Sequence, residues 1–166
     1  RSDATVLKDA FYQKFKYTIP LLFIVMMLGI LSGCNDDENV SVGADINNSD
    51  TLSIEYYQST QDILNEYLSF LSEIKNNKND LDKINSLSST YLANISLLRI
   101  KPSNDAEYNV DEYFYKFYNR TKSVAEYYMK YATSNDEKYL KIINDNHNEA
   151  TSNIEVYYDI AANYGY

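Results

Sequence analysis

The sequence predicts an all-α protein whose folded part is an antiparallel up-down four-helix bundle, preceded by an N-terminal signal helix and a flexible tether. Glycine and proline are scarce, with 4 and 2 among 166 residues, whereas all-β folds need many tight turns. After residue 50, apolar residues recur at spacings of three and four in four separate segments. Short polar stretches join these segments, and short loops make consecutive helices antiparallel neighbours.

Composition divides the chain into three parts. We predict that residues 1–33 are a leader and signal peptide, that residues 34–50 are a flexible acidic tether beginning at Cys34, and that residues 51–166 are the helical domain. The first thirteen residues form a mixed-charge leader before the signal segment. Cys34 is the only cysteine, so no disulfide can form within this chain.

The signal segment has a basic start and an apolar centre. Lys14 and Lys16 precede residues 19–31, a run of thirteen residues without charge. As a helix this run would span about 20 Å, whereas the hydrocarbon core of a bilayer is roughly 30 Å thick. The run is therefore short for a transmembrane helix and has the length of a signal-peptide core.

The apolar run ends in Leu31-Ser32-Gly33-Cys34. This tetrapeptide resembles the lipobox of bacterial lipoproteins, in which an aliphatic residue and two small residues precede the cysteine. The resemblance implies cleavage between Gly33 and Cys34 and a diacylglyceryl lipid on the Cys34 thiol, where two acyl chains give stable anchoring. It also implies a bacterial cell-membrane location, facing the exterior or the periplasm. The alternative is an uncleaved N-terminal anchor with a chance cysteine.

The tether and the overall charge limit the possible partners. Residues 35–50 are polar and acidic without periodicity, and sixteen coil residues reach roughly 20–24 Å. The net charge is −9, and residues 34–166 alone carry 11 basic and 22 acidic residues. Such a body repels phosphate backbones, so we expect no nucleic-acid binding. Electrostatic adhesion to anionic lipid is equally disfavoured, so we expect lipid on Cys34 to hold the protein at the membrane.

The first two helices are predicted at residues 53–76 and 80–99, with Asn79 as the N-cap of the second. Pro102 and the polar residues 103–108 end the second helix. The first apolar stripe is Tyr57, Thr60, Leu64, Tyr67, Leu71 and Ile74, widened by Ile63 and Leu68, and the second is Leu81, Ile84, Leu87, Tyr91, Ile95 and Leu98.

The last two helices are predicted from capping boxes. Asn109 with Glu112 would start the third helix, and Ser134 with Glu137 the fourth. A three-helix core with a partly exposed first helix is the alternative architecture. The third stripe is Val110, Phe114, Phe117, Thr121, Val124, Tyr128 and Tyr131, and the fourth is Leu140, Ile143, His147, Ala150, Ile154, Tyr157, Ala161 and Tyr164.

Catalytic chemistry has little support in this sequence. No zincin motif, nucleophile elbow or phosphate-binding glycine loop is present, so we expect neither an enzyme nor a cofactor or metal site. His147, the only histidine, lies on the apolar stripe of the fourth helix. It is interpreted as a polar core residue hydrogen-bonded to a Tyr or Asn. The functional alternative is a proton-transfer group or a ligand contact.

Tyrosine is abundant, with 18 residues against 6 Phe and no Trp. Tyr is enriched at interfaces because it buries a large ring at low entropic cost, but a compositional bias of the chain is the favoured explanation of the excess. If an interface exists, the outer tyrosines of the third helix are its candidates: Tyr113, Tyr115, Tyr118 and Tyr127.

Two functions follow as expectations. The first is a lipid-anchored binding or interaction module that contacts an envelope protein or a surface polymer. The second is an envelope enzyme or small-ligand carrier with an interhelical pocket near His147. A polar pocket around His147 would favour the second, whereas a filled layer there and tyrosines exposed together on one face would favour the first.

Overall fold

A computed structural model describes residues 51–166. All regular secondary structure in this part of the chain is helical, without a strand. The four helices are α1 (Ile54–Asn76), α2 (Leu81–Leu98), α3 (Asp105–Ser134) and α4 (Lys138–Ala161), followed by a 3₁₀ turn at Ala162–Tyr164. They pack together, which confirms the all-α four-helix prediction. The signal segment, the Leu31-Ser32-Gly33-Cys34 motif and the tether lie outside the described residues and stay predictions.

The helices alternate in direction. Near the start of α1, the Ser59 hydroxyl donates to the carbonyl of Leu98 at the end of α2, over 2.5 Å. Near the start of α3, Asn109 donates to the hydroxyl of Tyr164, just beyond α4, over 3.0 Å. We call this the entry end, because the chain enters the bundle here from residue 50. The opposite end, with the α1–α2 and α3–α4 turns, is called the far end.

Helix α1 is part of the core, so the alternative of a peripheral first helix is not observed. Side-chain hydrogen bonds join it to α4. The hydroxyls of Thr60 and Tyr157 lie 2.7 Å apart, and Tyr158 donates to Gln61 over 2.9 Å. The buried α1 residues are Tyr56, Ser59, Thr60, Ile63, Leu64, Tyr67, Phe70, Leu71 and Ile74. The predicted stripe missed Tyr56, Ser59 and Phe70, and it included Tyr57 and Leu68, which are half-buried. No helix of the described residues carries an apolar stretch that could cross a bilayer.

Local capping explains where the first two helices begin. The Ser53 hydroxyl accepts from the backbone N–H of Tyr56, so α1 begins next to the predicted position. For α2 the N-cap is Asp80 and not Asn79, because the Asp80 carboxylate accepts from the N–H of Lys83 over 2.9 Å. Asn and Asp both cap helices well, and the backbone geometry makes Asp80 the N-cap here.

The capping box predicted for α3 at Asn109 and Glu112 is wrong, because both residues lie inside the helix. The N-cap is Asn104, whose side chain accepts from the backbone N–H of Glu107 over 2.9 Å. The Glu107 carboxylate in turn accepts from the backbone N–H of Ser103 over 2.7 Å. Capping chemistry of the expected kind is therefore present, but it lies more than one helical turn before the predicted position.

The capping box predicted for α4 at Ser134 and Glu137 is also wrong. Ser134 is the last residue of α3, and Asn135 ends that helix in the left-handed conformation with φ of 51°. Helix α4 begins at Lys138, and Glu137 makes no side-chain capping bond. The Asp136 carboxylate instead accepts from the N–H of Lys138 over 3.0 Å.

The apolar stripes of α3 and α4 were predicted more accurately than the helix starts. Every residue of the α3 stripe is buried. On α4 the stripe is buried from Ile143 to Ala161, whereas Leu140 is half-buried and Tyr164 lies in the 3₁₀ turn beyond the helix. The heptad-like spacing therefore identified the core faces of both helices.

Candidate functional site

His147 lies in a buried aromatic layer of the bundle. Its Nδ1 is 2.8 Å from the hydroxyl of Tyr67, and the side chain is buried. Phe117 packs edge-on against the Tyr67 ring, with 5.8 Å between ring centroids. The interpretation of His147 as a core residue hydrogen-bonded to a tyrosine is confirmed.

Burial sets the protonation state of this layer. Desolvation lowers the pKa of His147 to about 4, and desolvation likewise raises the pKa of the Tyr67 hydroxyl well above its ordinary value. Both groups are therefore neutral near pH 7. A base with so low a pKa is poorly matched to proton transfer at that pH.

The four tyrosines predicted as one interaction surface lie on two sides of α3. Tyr113 and Tyr115 differ by about 200° around a helix, whereas Tyr113 and Tyr127 differ by only about 40°. Tyr115 and Tyr118 face Arg99, at the end of α2, with 5.9 Å from the guanidinium carbon to each ring centroid. Tyr127 instead contacts Tyr139 of α4, with 6.0 Å between ring centroids.

Tyr118 is not an outer residue. It is only 8 % exposed, because Arg99 and Lys122 lie over its ring and Tyr115 stacks beside it. Spacing along α3 could not reveal this, because Arg99 reaches the ring from another part of the chain. The predicted surface therefore loses Tyr118 and divides between Tyr115 on one side and Tyr113 with Tyr127 on the other.

Tyrosines on the α4 side of α3 form the better candidate surface. Each of three rings has a lysine ammonium nearby: Lys116 is 4.7 Å from the Tyr113 centroid and Lys130 is 4.4 Å from the Tyr127 centroid. Lys138 is 4.9 Å from the Tyr139 centroid. We call this surface the tyrosine–lysine band, and its members are Tyr113, Lys116, Arg120, Tyr127, Lys130, Lys138 and Tyr139.

Three of the four basic side chains of the band form ion pairs. Lys116 pairs with Glu112 over 2.7 Å, and Lys138 pairs with Asp136 over the same distance. Arg120 reaches across to Glu149 on α4 over 2.6 Å. The three tyrosines are half-buried, so each presents part of its ring to solvent. The arrangement can offer aromatic faces and hydrogen-bond donors to a partner without a large rearrangement.

Part of the band was visible in the sequence. Tyr113 and Tyr127 each have a lysine three residues later on α3, which is the spacing at which helical side chains meet. Tyr139 had no such signal, because it joins the band only when α4 packs against α3.

A second polar cluster lies at the entry end. The buried Glu107 carboxylate accepts from the backbone N–H and hydroxyl of Ser53 and from the N–H and hydroxyl of Ser103. It therefore joins the starts of α1 and α3. Close by, Asp111 accepts from Tyr56 over 2.6 Å and pairs with Arg99. Among residues 51–166, no three His, Cys, Asp or Glu side chains come together as metal ligands.

Comparisons with known proteins give no relative: no family model, no curated protein and no solved structure matches this chain.

Proposed function

We propose that this protein is a lipid-anchored bacterial envelope protein that acts as a binding module through the tyrosine–lysine band. The anchor rests on the Leu31-Ser32-Gly33-Cys34 motif at the end of a short apolar run. The observation that carries the binding role is the band itself, in which lysines hold three half-buried tyrosine rings along the α3–α4 surface.

The chemistry of the band indicates its partner. Aromatic residues and arginine are enriched in interfaces, and rings already held in place lose little entropy on binding. The band lysines are partly neutralised by Glu112 and Asp136, and the chain carries a net charge of −9. A strongly anionic partner would be repelled. The partner is therefore an envelope protein or a neutral surface polymer with groups that hydrogen-bond to tyrosine.

The alternative of an envelope enzyme or small-ligand carrier near His147 gains no supporting observation. His147 is buried and hydrogen-bonded to Tyr67.

The anchor is tested by replacing the cysteine. Cys34→Ala removes the thiol that would carry the lipid, so we expect unprocessed precursor or released protein. Metabolic labelling with a fatty acid and membrane fractionation measure the outcome, with Ser41→Ala in the tether as the matched control. Mature, membrane-bound Cys34→Ala protein would contradict the anchor.

The tyrosine–lysine band is tested by photo-crosslinking in cells. A photoreactive phenylalanine derivative replaces Tyr127, and the same residue replaces the exposed Asn85 on α2 as the control. We expect a crosslinked product only from position 127. A discrete product on a gel identifies a protein partner, and a diffuse smear identifies a polymer. Equal crosslinking at the two positions would rule out the band as the binding surface.

A further inference from the structure

The exposed large apolar side chains of the described residues gather near the entry end. Leu97, in the last turn of α2, is 84 % exposed, although leucine normally packs inside. Ile54 is the first residue of α1, and Ile100 is the second residue after the end of α2. We call this set the apolar rim, and its members are Ile54, Leu97, Ile100, Tyr108, Tyr115 and Tyr166.

The rim surrounds the end of the bundle and does not form a stripe along one side. Tyr108 lies in the first turn of α3, and Tyr166 packs on Tyr57 of α1 with 4.2 Å between ring centroids. Tyr115 lies deepest, about 15 Å along α3. Because the members belong to different helices, a surface laid across the end contacts more of them than a partner bound along one side.

Several polar groups at the entry end are paired within the protein. Glu107 accepts from Ser53 and Ser103, and the Ser59 hydroxyl lies between the carbonyl of Leu98 and the N–H of Ile100. The Tyr166 hydroxyl donates to the carbonyl of Leu52 over 3.3 Å. Moving this end out of bulk water therefore leaves few of these groups without a partner, which keeps the desolvation cost small.

The preceding chain limits what can cover the rim. The bundle begins beside Thr51, and sixteen residues separate that point from Cys34. A coil of this length would reach roughly 20–24 Å. If Cys34 carries lipid, the entry end stays close to the headgroups, and this high local concentration makes weak apolar contacts effective.

We propose that the entry end docks on the lipid bilayer through the apolar rim, a proposal that rests on the lipid anchor at Cys34. Isoleucine and leucine enter the boundary between headgroups and acyl chains, and tyrosine hydroxyls stay at headgroup level. Exposed Glu55, Asp105 and Asp159 lie near the same end and remain in the aqueous headgroup layer. They outnumber the exposed Lys101 beside Ile100, so the exposed charge near this end is mainly acidic. Docking therefore favours zwitterionic over anionic lipid.

The test measures which end of the acylated full chain meets the bilayer. Lipid occupies the Cys34 thiol, so a cysteine introduced by Ile100→Cys can be labelled selectively with an environment-sensitive fluorophore. Asn79→Cys at the far end is the matched control, since residue 79 is exposed in the α1–α2 turn. The proteins are reconstituted into phosphatidylcholine vesicles that contain a nitroxide-labelled lipid.

We expect nitroxide quenching at position 100 to exceed that at position 79 about threefold or more, because only the rim enters the headgroup boundary. Adding Leu97→Ser should lower the ratio of docked to undocked protein about tenfold, because it removes one large apolar side chain from the contact. Equal quenching at the two positions on floating vesicles overturns the docking and leaves the anchor intact. A full chain that carries no lipid and does not float with the vesicles overturns both proposals.

Discussion

The two ends of the bundle are built differently. At the far end, side chains bond to the backbone of residues nearby in sequence. The Asp80 carboxylate accepts from the backbone N–H of Lys83, and the Asp136 carboxylate accepts from the backbone N–H of Lys138. At the entry end, Ser53 and Glu107 are 54 residues apart in sequence, and Tyr56 and Asp111 are 55 apart. At the far end, contacts between residues close in sequence mark where α2 and α4 begin. At the entry end, contacts between residues far apart in sequence join different helices.

The two ends also differ in how deeply their polar side chains are buried. Glu107 is buried at the entry end, and the Arg99 guanidinium lies over the Phe114 ring there. At the far end Lys138 is exposed and pairs with Asp136 in solvent. Because buried polar contacts contribute more than solvated ones, substitutions at the entry end should cost more stability.

The largest expected effect is at Glu107. Glu107→Ala removes the acceptor for the Ser53 and Ser103 donors, so we expect a loss of about 3–5 kcal/mol in the free energy of unfolding. Glu107→Gln keeps one acceptor oxygen and should lose less. Denaturant unfolding followed by circular dichroism measures both variants. A change below about 1 kcal/mol for Glu107→Ala would show that this network does not hold the entry end together.

The Glu107 network also predicts loss of stability in acid. Burial by itself would raise the pKa of this carboxyl, but the hydrogen bonds from Ser53 and Ser103 outweigh burial and lower it below the ordinary value of 4.5. A lowered pKa means that the stabilisation is present above pH 4.5 and is lost as the pH falls through the folded-state pKa.

His147, between the two ends, gives an intermediate effect that depends on pH. Its ordinary pKa is 6.5 and burial lowers the folded-state pKa to about 4. Between these values the unfolded chain binds a proton that the folded protein does not. Stability should therefore fall by up to about 3 kcal/mol from pH 6.5 to pH 4 and change no further from this group below that.

His147→Gln keeps a group that can bond to Tyr67 and removes the titration. Unfolding measured at several pH values should show a flatter stability curve between pH 6.5 and pH 4 than the natural chain shows. An unchanged slope in that interval would mean that His147 does not cause it.

The smallest expected effect is at the far end. Asp80→Ala removes the cap of α2 and should cost about 1 kcal/mol. Asn79→Ala is the matched control, because the neighbouring residue is not the observed cap. Thermal unfolding of the two variants distinguishes them, and an equal or larger loss for Asn79→Ala would restore Asn79 as the N-cap.

The sequence was most informative where a signal repeats. Every residue of the predicted α3 stripe from Val110 to Tyr131 is buried, because these positions recur at helical spacing, although the stripe omitted the buried Tyr118 and Ala125. Helix starts were less predictable, since Asn, Ser and Glu occur often and several sites resemble a capping box. At α3 the choice depended on Glu107 bonding to Ser53, a residue that periodicity does not place nearby.

The residues of the candidate surface were likewise only partly predictable from the sequence. Sequence placed Tyr113 and Tyr127 on α3, but only packing removed Tyr118 from the surface and added Tyr139 to it. Arg99 buries Tyr118 by reaching it from the end of α2. Such a contact depends on how helices meet, and no spacing within one helix encodes it.

By itself, the sequence determined the helical class, the core-facing stripes and the lipobox-like motif that predicts an anchor at Cys34. These features depend on residues close together in the chain. Tertiary structure decided the Glu107 network, the burial of Tyr118 under Arg99 and the gathering of exposed apolar residues at the entry end. Those features need groups from different helices, which become neighbours only when the hydrophobic faces pack together.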